Sequence, residues 1–150
     1  MELDTARQWW QKWRWYERNA LPLNRLRIHR EFAAREAFCR WPVHGNVLEA
    51  LREGRLEIGP QVLLEPGVWL TCPGDARIRI GGGSFLNLGV QVAAVALVEI
   101  GEHCMLANGC FVTDANHRFD DPRTPVPWQG FSTKGPTRSA TTSGAAPTSW

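Results

Sequence analysis

From Ile58 to His117 an aliphatic residue returns at about every sixth position. The stretch divides into IGPQVL, LEPGVW, LTCPGDARIR, IGGGSF, LNLGVQ, VAAVALVE, IGEHCM, LANGCF and VTDANH, whose first positions are Ile58, Leu64, Leu70, Ile80, Leu86, Val92, Ile100, Leu106 and Val112. The fifth position tends to be small or β-branched, as at Val62, Val68, Ser84, Val90, Cys104 and Cys110. Small fifth residues allow one coil to stack closely on the next. The phase slips at LTCPGDARIR and VAAVALVE, after every third hexad, which predicts a triangular solenoid with three short strands per coil and loops bulging from one corner. About three coils fit within 56–112. A β-sandwich also has short apolar strands punctuated by glycine, but its alternation at period two gives no reason to hold a six-residue phase through nine segments.

The preceding segment, 1–55, has a different texture, rich in Arg and Trp and poor in Gly. Ala6, Trp9, Trp10, Trp13 and Tyr16 recur at helical spacing, with Arg7, Lys12, Arg14 and Arg18 among them and Asp4 or Thr5 as candidate N-caps. Pro22 separates this from a second helical stretch, Arg25 to Arg40. A Trp-and-Arg helix serves either as an interfacial anchor or acceptor platform, or as a cap over the first coil, whose strand edges would otherwise be open. The cap is the simpler expectation. A chain of 150 residues is one ordinary domain. Cys39, Cys72, Cys104 and Cys110 lack C-x-x-C spacing and read as apolar fillers in a reducing, cytoplasmic protein. No run of eighteen apolar residues predicts a membrane span, and a formal charge of +2 does not point to nucleic acid.

Candidate chemistry lies where the hexads give way to DANHRFDDPRTPVPWQGFSTKGP, a polar loop over 113–138 that is longer than connections in compact domains usually are. His117 is the candidate general base, because imidazole ordinarily titrates near neutrality. Asn116, Asp114 and Trp128 are the candidates for contacting a substrate, and Trp128 and Phe131 either line a cleft or pack on a neighbouring subunit. The GGG at Gly81 to Gly83 is followed by no helix and reads as a tight coil corner rather than a phosphate cradle. His103, Asp114, Asp120 and Asp121 lack converging ligand spacing, so no metal is expected.

The hexads together with NHRFDDP, QGF and KGP resemble the hexapeptide-repeat acyltransferases, and the His117 segment is similar to that of the xenobiotic, maltose and galactoside acetyltransferases. The resemblance runs from about Ile58 to Pro136. It implies a left-handed parallel β-helix with a helical N-terminal cap, a homotrimer whose cleft is completed by a neighbouring subunit, and acetyl-CoA as acyl donor. His117 would then deprotonate an acceptor hydroxyl for direct attack on the thioester, with no acyl-enzyme. Asn87, in SFLNLGVQ, matches an asparagine that orients the acceptor hydroxyl in those relatives; on its own residue type it serves equally well to start a solenoid turn. Where the relatives carry an acidic residue in the next corner, this chain has Val95, which leaves the acceptor open. A non-catalytic β-helix, as scaffold or decayed fragment, is the alternative.

The tail, 139–150, reads SATTSGAAPTSW and abandons the pattern. In the resembling enzymes KGP leads into a coil beginning Ile-Gly-Asp-Asn-Val-Trp. If the serines use TCN codons, a shift of one base from Arg138 turns positions 139, 143 and 149 into NTC, which encodes only Phe, Leu, Ile or Val. With permitted third bases the shifted string reads I-G-D-N-V-W-C-G-A-N-V-V. Two readings stand: a reading-frame change that removes the later, CoA-bearing coils and impairs activity, and a natural tail of small residues.

Overall fold

The computed structural model describes residues 3–139. Helices α1 (Leu3–Asn19) and α2 (Asn24–Ala33) come first, divided around Pro22. Strands β1 (Phe38–Cys39), β2 (Val43–Gly45) and β3 (Leu56–Ile58) make the first coil, with helix α3 (Val47–Arg52) inserted between the last two. The second coil holds β4 (Leu63–Leu64), β5 (Val68–Thr71) and β6 (Arg77–Ile80), and the third β7 (Phe85–Leu86), β8 (Gln91–Ala93) and β9 (Leu97–Ile100). Strands β10 (Met105–Leu106) and β11 (Phe111–Thr113) begin a fourth. After a long excursion, β14 (Thr137–Arg138) returns to the solenoid. The three faces are the parallel sheets β1-β4-β7-β10, β2-β5-β8-β11 and β3-β6-β9-β14.

The solenoid therefore starts inside the segment that the sequence assigns to a helical cap. The predicted second helix, Arg25 to Arg40, stops at Ala33: Glu36 enters the left-handed region at φ 56°, and the Ala37 N–H turns back to the Phe32 carbonyl at 2.9 Å. Phe38 then donates its N–H to Val62 O and begins the parallel ladder. No Ile-Gly hexad announces this first coil. Its corner is taken by α3, at whose base the buried Asn46 amide exchanges two 3.0 Å hydrogen bonds with the backbone of Cys72.

The hexad-first residues form the core. Leu64, Leu86 and Leu106 stack in register across the first sheet, Leu70, Val92 and Val112 across the second, and Ile58, Ile80 and Ile100 across the third. All but Val112 are buried, as are the fifth-position residues Val62, Val68, Ser84, Val90 and Cys104. Ile58 and Ile80 are followed by glycine where coils touch: a Cβ on Gly59 would lie 2.5 Å from Gly82 N, and one on Gly81 2.5 Å from Glu102 N. Gly81 to Gly83 belong to that coil-to-coil contact.

Outside the third sheet, Glu57, Arg79, Glu99 and Arg138 fall opposite one another and alternate in sign. Arg79 bridges Glu57 at 3.1 Å and Glu99 at 2.9 Å, and Arg138 meets Glu99 at 2.5 Å. A slip of one residue would point these charges inward, so the ladder fixes strand register. One residue further, Ser139 stands in line with Ile100, and its Oγ accepts the Gly101 N–H at 3.1 Å. The frame-change reading concerns residues that, apart from Ser139, lie outside the described ones. Among the described residues no helix is long and apolar enough to cross a membrane.

Candidate active site

All the extra length of the coils is delivered to one corner, between the second and third sheets. In succession it receives α3, residues 72–76, residues 94–96 and the loop 114–136, which carries the antiparallel hairpin β12 (Ala115–His117) and β13 (Phe131–Thr133). Helix α1 lies across the same corner. Its Tyr16 ring meets Trp69 of β5 edge-on at 5.9 Å, and Trp69 stacks on His44 of β2 at 5.2 Å. Near the other end of the helix, Trp9 meets Trp128, in a 3-10 turn at Val126–Trp128, at 4.9 Å and 89°.

Between these two pins lies a cavity of about 750 Å³, within the range of ligand sites. Lys12, Trp15 and Tyr16 of α1 make one wall. Thr71, Phe111 and Thr113 come from the second sheet, Ala93, Ala94 and Val95 form the floor, and Asn116, His117, Phe131 and Lys134 close the far side. The lining is mainly apolar and contains no carboxylate.

The hairpin that carries His117 is tied to the solenoid by Asp114. This residue is fully buried, and its carboxylate accepts the backbone N–H groups of Val95 and Ala96 at 2.8 Å and of Leu97 at 2.7 Å. Its carbonyl accepts the Lys134 N–H at 2.8 Å, closing the other limb of the hairpin. His117 pairs in register with Phe131, and the two rings lie 4.5 Å apart at 37°. The imidazole is exposed at the cavity mouth. Asp120 and Asp121 turn to loop building. Asp120 accepts a double hydrogen bond from Arg118 at 2.6 and 3.0 Å, which holds its carboxyl below the usual carboxylate range. Asp121 is held low in the same direction by the Arg123 N–H at 2.9 Å and then by the Thr124 hydroxyl at 2.9 Å.

Of the residues expected at a site, His117 and Asn116 share the cavity, and three others lie outside its lining. Asn87 lies at the corner between the first and second sheets, away from this cavity, and its Oδ1 accepts the neighbouring Leu88 N–H at 3.2 Å. That contact is of the kind that starts a solenoid turn. Asp114 has no carboxylate surface left for an acceptor, because three peptide N–H groups occupy it. Trp128 faces Trp9 and pins the loop to α1 instead of lining the cavity. The sequence offered this helix as an acceptor platform but favoured a cap, and it did not single out Lys12, Trp15 and Tyr16 as a wall of the site. The signal was WRWY, whose adjacent aromatics cannot all lie on one helix face, so that some must point away from the stripe counted at Trp9, Trp10 and Trp13. Among the described residues no group of three or more His, Cys, Asp or Glu is placed to hold a metal ion.

The chain matches no protein-family model, no curated protein and no solved structure. What it can do chemically is therefore read from the cavity: an imidazole at the mouth of an apolar pocket, on a hairpin whose root cannot shift without breaking three hydrogen bonds.

Proposed function

We propose that this chain is a CoA-dependent O-acetyltransferase, with His117 as general base toward a hydroxyl of a sugar or other small acceptor bound in the corner cavity. The observation that carries the reading is the placement of His117 at the mouth of a cavity that gathers Asn116, Trp15 and Phe131 around it. The neutral imidazole takes the hydroxyl proton as the oxygen attacks the thioester carbonyl. The C–O bond forms, the C–S bond breaks, and the proton passes from imidazolium to the departing thiolate. Asn116, with both a donor and an acceptor, is suited to orient the hydroxyl. Holding both reactants in place supplies rate enhancement by converting a bimolecular step into an intramolecular one. Acetyl-CoA is a substrate here, and the reading assigns no residue to its nucleotide end.

Two further features accompany the proposal. Cys39, Cys72 and Cys110 form no disulfide, which suits a reducing compartment such as the cytoplasm. The outward column of the first sheet, Phe38, Leu63, Phe85 and Met105, is apolar throughout, and this supports association of copies as a trimer.

The test is thiol release from acetyl-CoA across a panel of hydroxyl acceptors, wild type against His117→Ala. Loss of a general base lowers turnover by about a hundredfold to ten-thousandfold. Turnover unchanged in the variant removes His117 as base, and no release with any acceptor, together with no CoA binding, leaves a non-catalytic β-solenoid.

A further inference from the structure

We infer that the corner cavity selects an acceptor that carries an aromatic or similarly flat apolar body, a hydroxyl and an anionic group, the anion being held by Lys12 and Lys134. This rests on the reading of His117 as base, and it adds the acceptor's chemical class.

The first support is what the walls are made of. Trp15 and Tyr16 on one side and Phe111 and Phe131 on the other place four rings around a floor of alanine and valine. A neutral sugar needs hydrogen-bonding partners for several hydroxyls, and a site built for it carries carboxylates and amides. Here Asn116 is the only amide in the lining and there is no carboxylate at all. Flat apolar surface is what such walls bury well.

The second support is charge. Both lysines in the lining are cations by residue type, and neither makes an ion pair with a described residue. The Lys12 ammonium lies 5.6 Å from the centre of the Trp9 ring, which places it at the rim beside the pinned end of α1. Lys134 follows β13, and its N–H is fixed on Asp114 O at the root of the hairpin. The carboxylates nearest Lys134 in sequence are engaged elsewhere: Asp120 by Arg118, Asp121 by its own loop, and Asp114 by three peptide groups. Two ammoniums with no acid between them make the cavity an anion-attracting one. An anion they hold lies within one small molecule's length of His117, since all three line the same cavity. The phosphates of a thioester donor are separated from its reacting carbonyl by the whole pantetheine arm, which makes them the less suitable occupant.

The experiment uses 4-(hydroxymethyl)benzoate, its neutral amide and a methyl hexoside. Binding is read by quenching of tryptophan fluorescence without acetyl-CoA, and transfer is read separately by thiol release. The benzoate is expected to bind about fivefold more tightly than the amide, as suits partly exposed ion pairs. The Lys12→Gln/Lys134→Gln variant removes that preference without weakening the amide, and Trp15→Leu weakens both aryl compounds alike. Equal affinity for benzoate and amide, or tighter binding of the hexoside, overturns the assignment. So does a lysine variant that loses CoA affinity while its benzoate affinity stays unchanged. Benzoate preference without any acetyl transfer retains the anion site and discards the acetyltransferase reading.

Discussion

The carboxylate of Asp114 accepts the backbone N–H of Leu97 at 2.7 Å, so a residue at the root of the loop is fastened to the first residue of a strand in the coil below. With Val95 and Ala96 it closes three peptide donors at the point where the second sheet hands over to the third. Asp114→Ala leaves those donors without partners inside the protein, at about 1–3 kcal/mol for each buried donor, so destabilisation of roughly 3 kcal/mol or more is expected. Asp114→Asn does not restore the site, because one of its two terminal atoms is a donor facing donors. Thermal unfolding of the two variants checks this. On the reading of His117 as base, hairpin misplacement should also lower turnover and raise KM together, because His117 and the wall formed by Asn116, Phe131 and Lys134 move as one.

The Glu-Arg ladder predicts an acid sensitivity with a defined sign. Hydrogen bonding to Arg79, with the nearby Arg138, holds the Glu99 carboxyl below its ordinary value of 4.5. The folded protein thus takes up this proton less readily than the unfolded chain. The contribution is present above the ordinary carboxylate range and is lost as pH falls through the lowered value. Melting temperatures measured from pH 7 down to pH 3 should fall further for wild type than for Glu99→Gln. Parallel curves would show that Glu99 contributes nothing through its charge.

Much of this fold was legible because the chemistry repeats. The columns headed by Leu64, Leu70 and Ile58 demand an aliphatic residue wherever a strand turns inward, and Ile-Gly marks each place where coils touch. The first coil was hidden because α3 and the Asn46 clamp do there what a hexad corner does elsewhere, with no periodic trace. His117 and Asn116 were visible as polar residues after a rigid strand. Asp114 was visible as an acid but not as a buried anchor, since its partners are backbone groups some twenty positions earlier, and backbone donors have no letter in a sequence. Trp15 and Lys12 were missed because only the docked position of α1 decides which of its faces closes the cavity.

Two of the thiols should be slow to react. Burial pushes both Cys39 and Cys72 up to about 11, the latter despite the opposing charge of Arg55. At pH 8 almost none of either exists as the nucleophilic thiolate. Labelling with an aromatic disulfide reagent should therefore leave Cys39 and Cys72 unmodified in the native protein and reach them in denaturant, as peptide mapping would show. The sign for stability follows from the raised values: this contribution is full below the ordinary thiol range and is lost as alkaline pH rises through about 11. Fast labelling of Cys72 at pH 8 would mean that the clamp between Asn46 and Cys72 opens readily.

The last prediction separates the inside of the first sheet from its outside, using adjacent residues. Leu86 is fully buried between Leu64 and Leu106, and Leu86→Ala leaves a cavity costing about 2–5 kcal/mol. Met105, which precedes Leu106 on β10, is 62 % exposed, and Phe38 at the opposite edge is 63 % exposed. Within a single chain Met105→Asp should change stability by no more than about 0.5 kcal/mol, as for most surface positions. If copies associate through this column, the same substitution places a charge in an apolar contact and breaks the assembly without unfolding the protomer. Light scattering should then give a smaller particle for Met105→Asp, with an unchanged circular dichroism spectrum, whereas Leu86→Ala should lower the melting temperature at any state of assembly. An unchanged particle size for Met105→Asp and for Phe38→Asp would exclude the first sheet as the contact between copies.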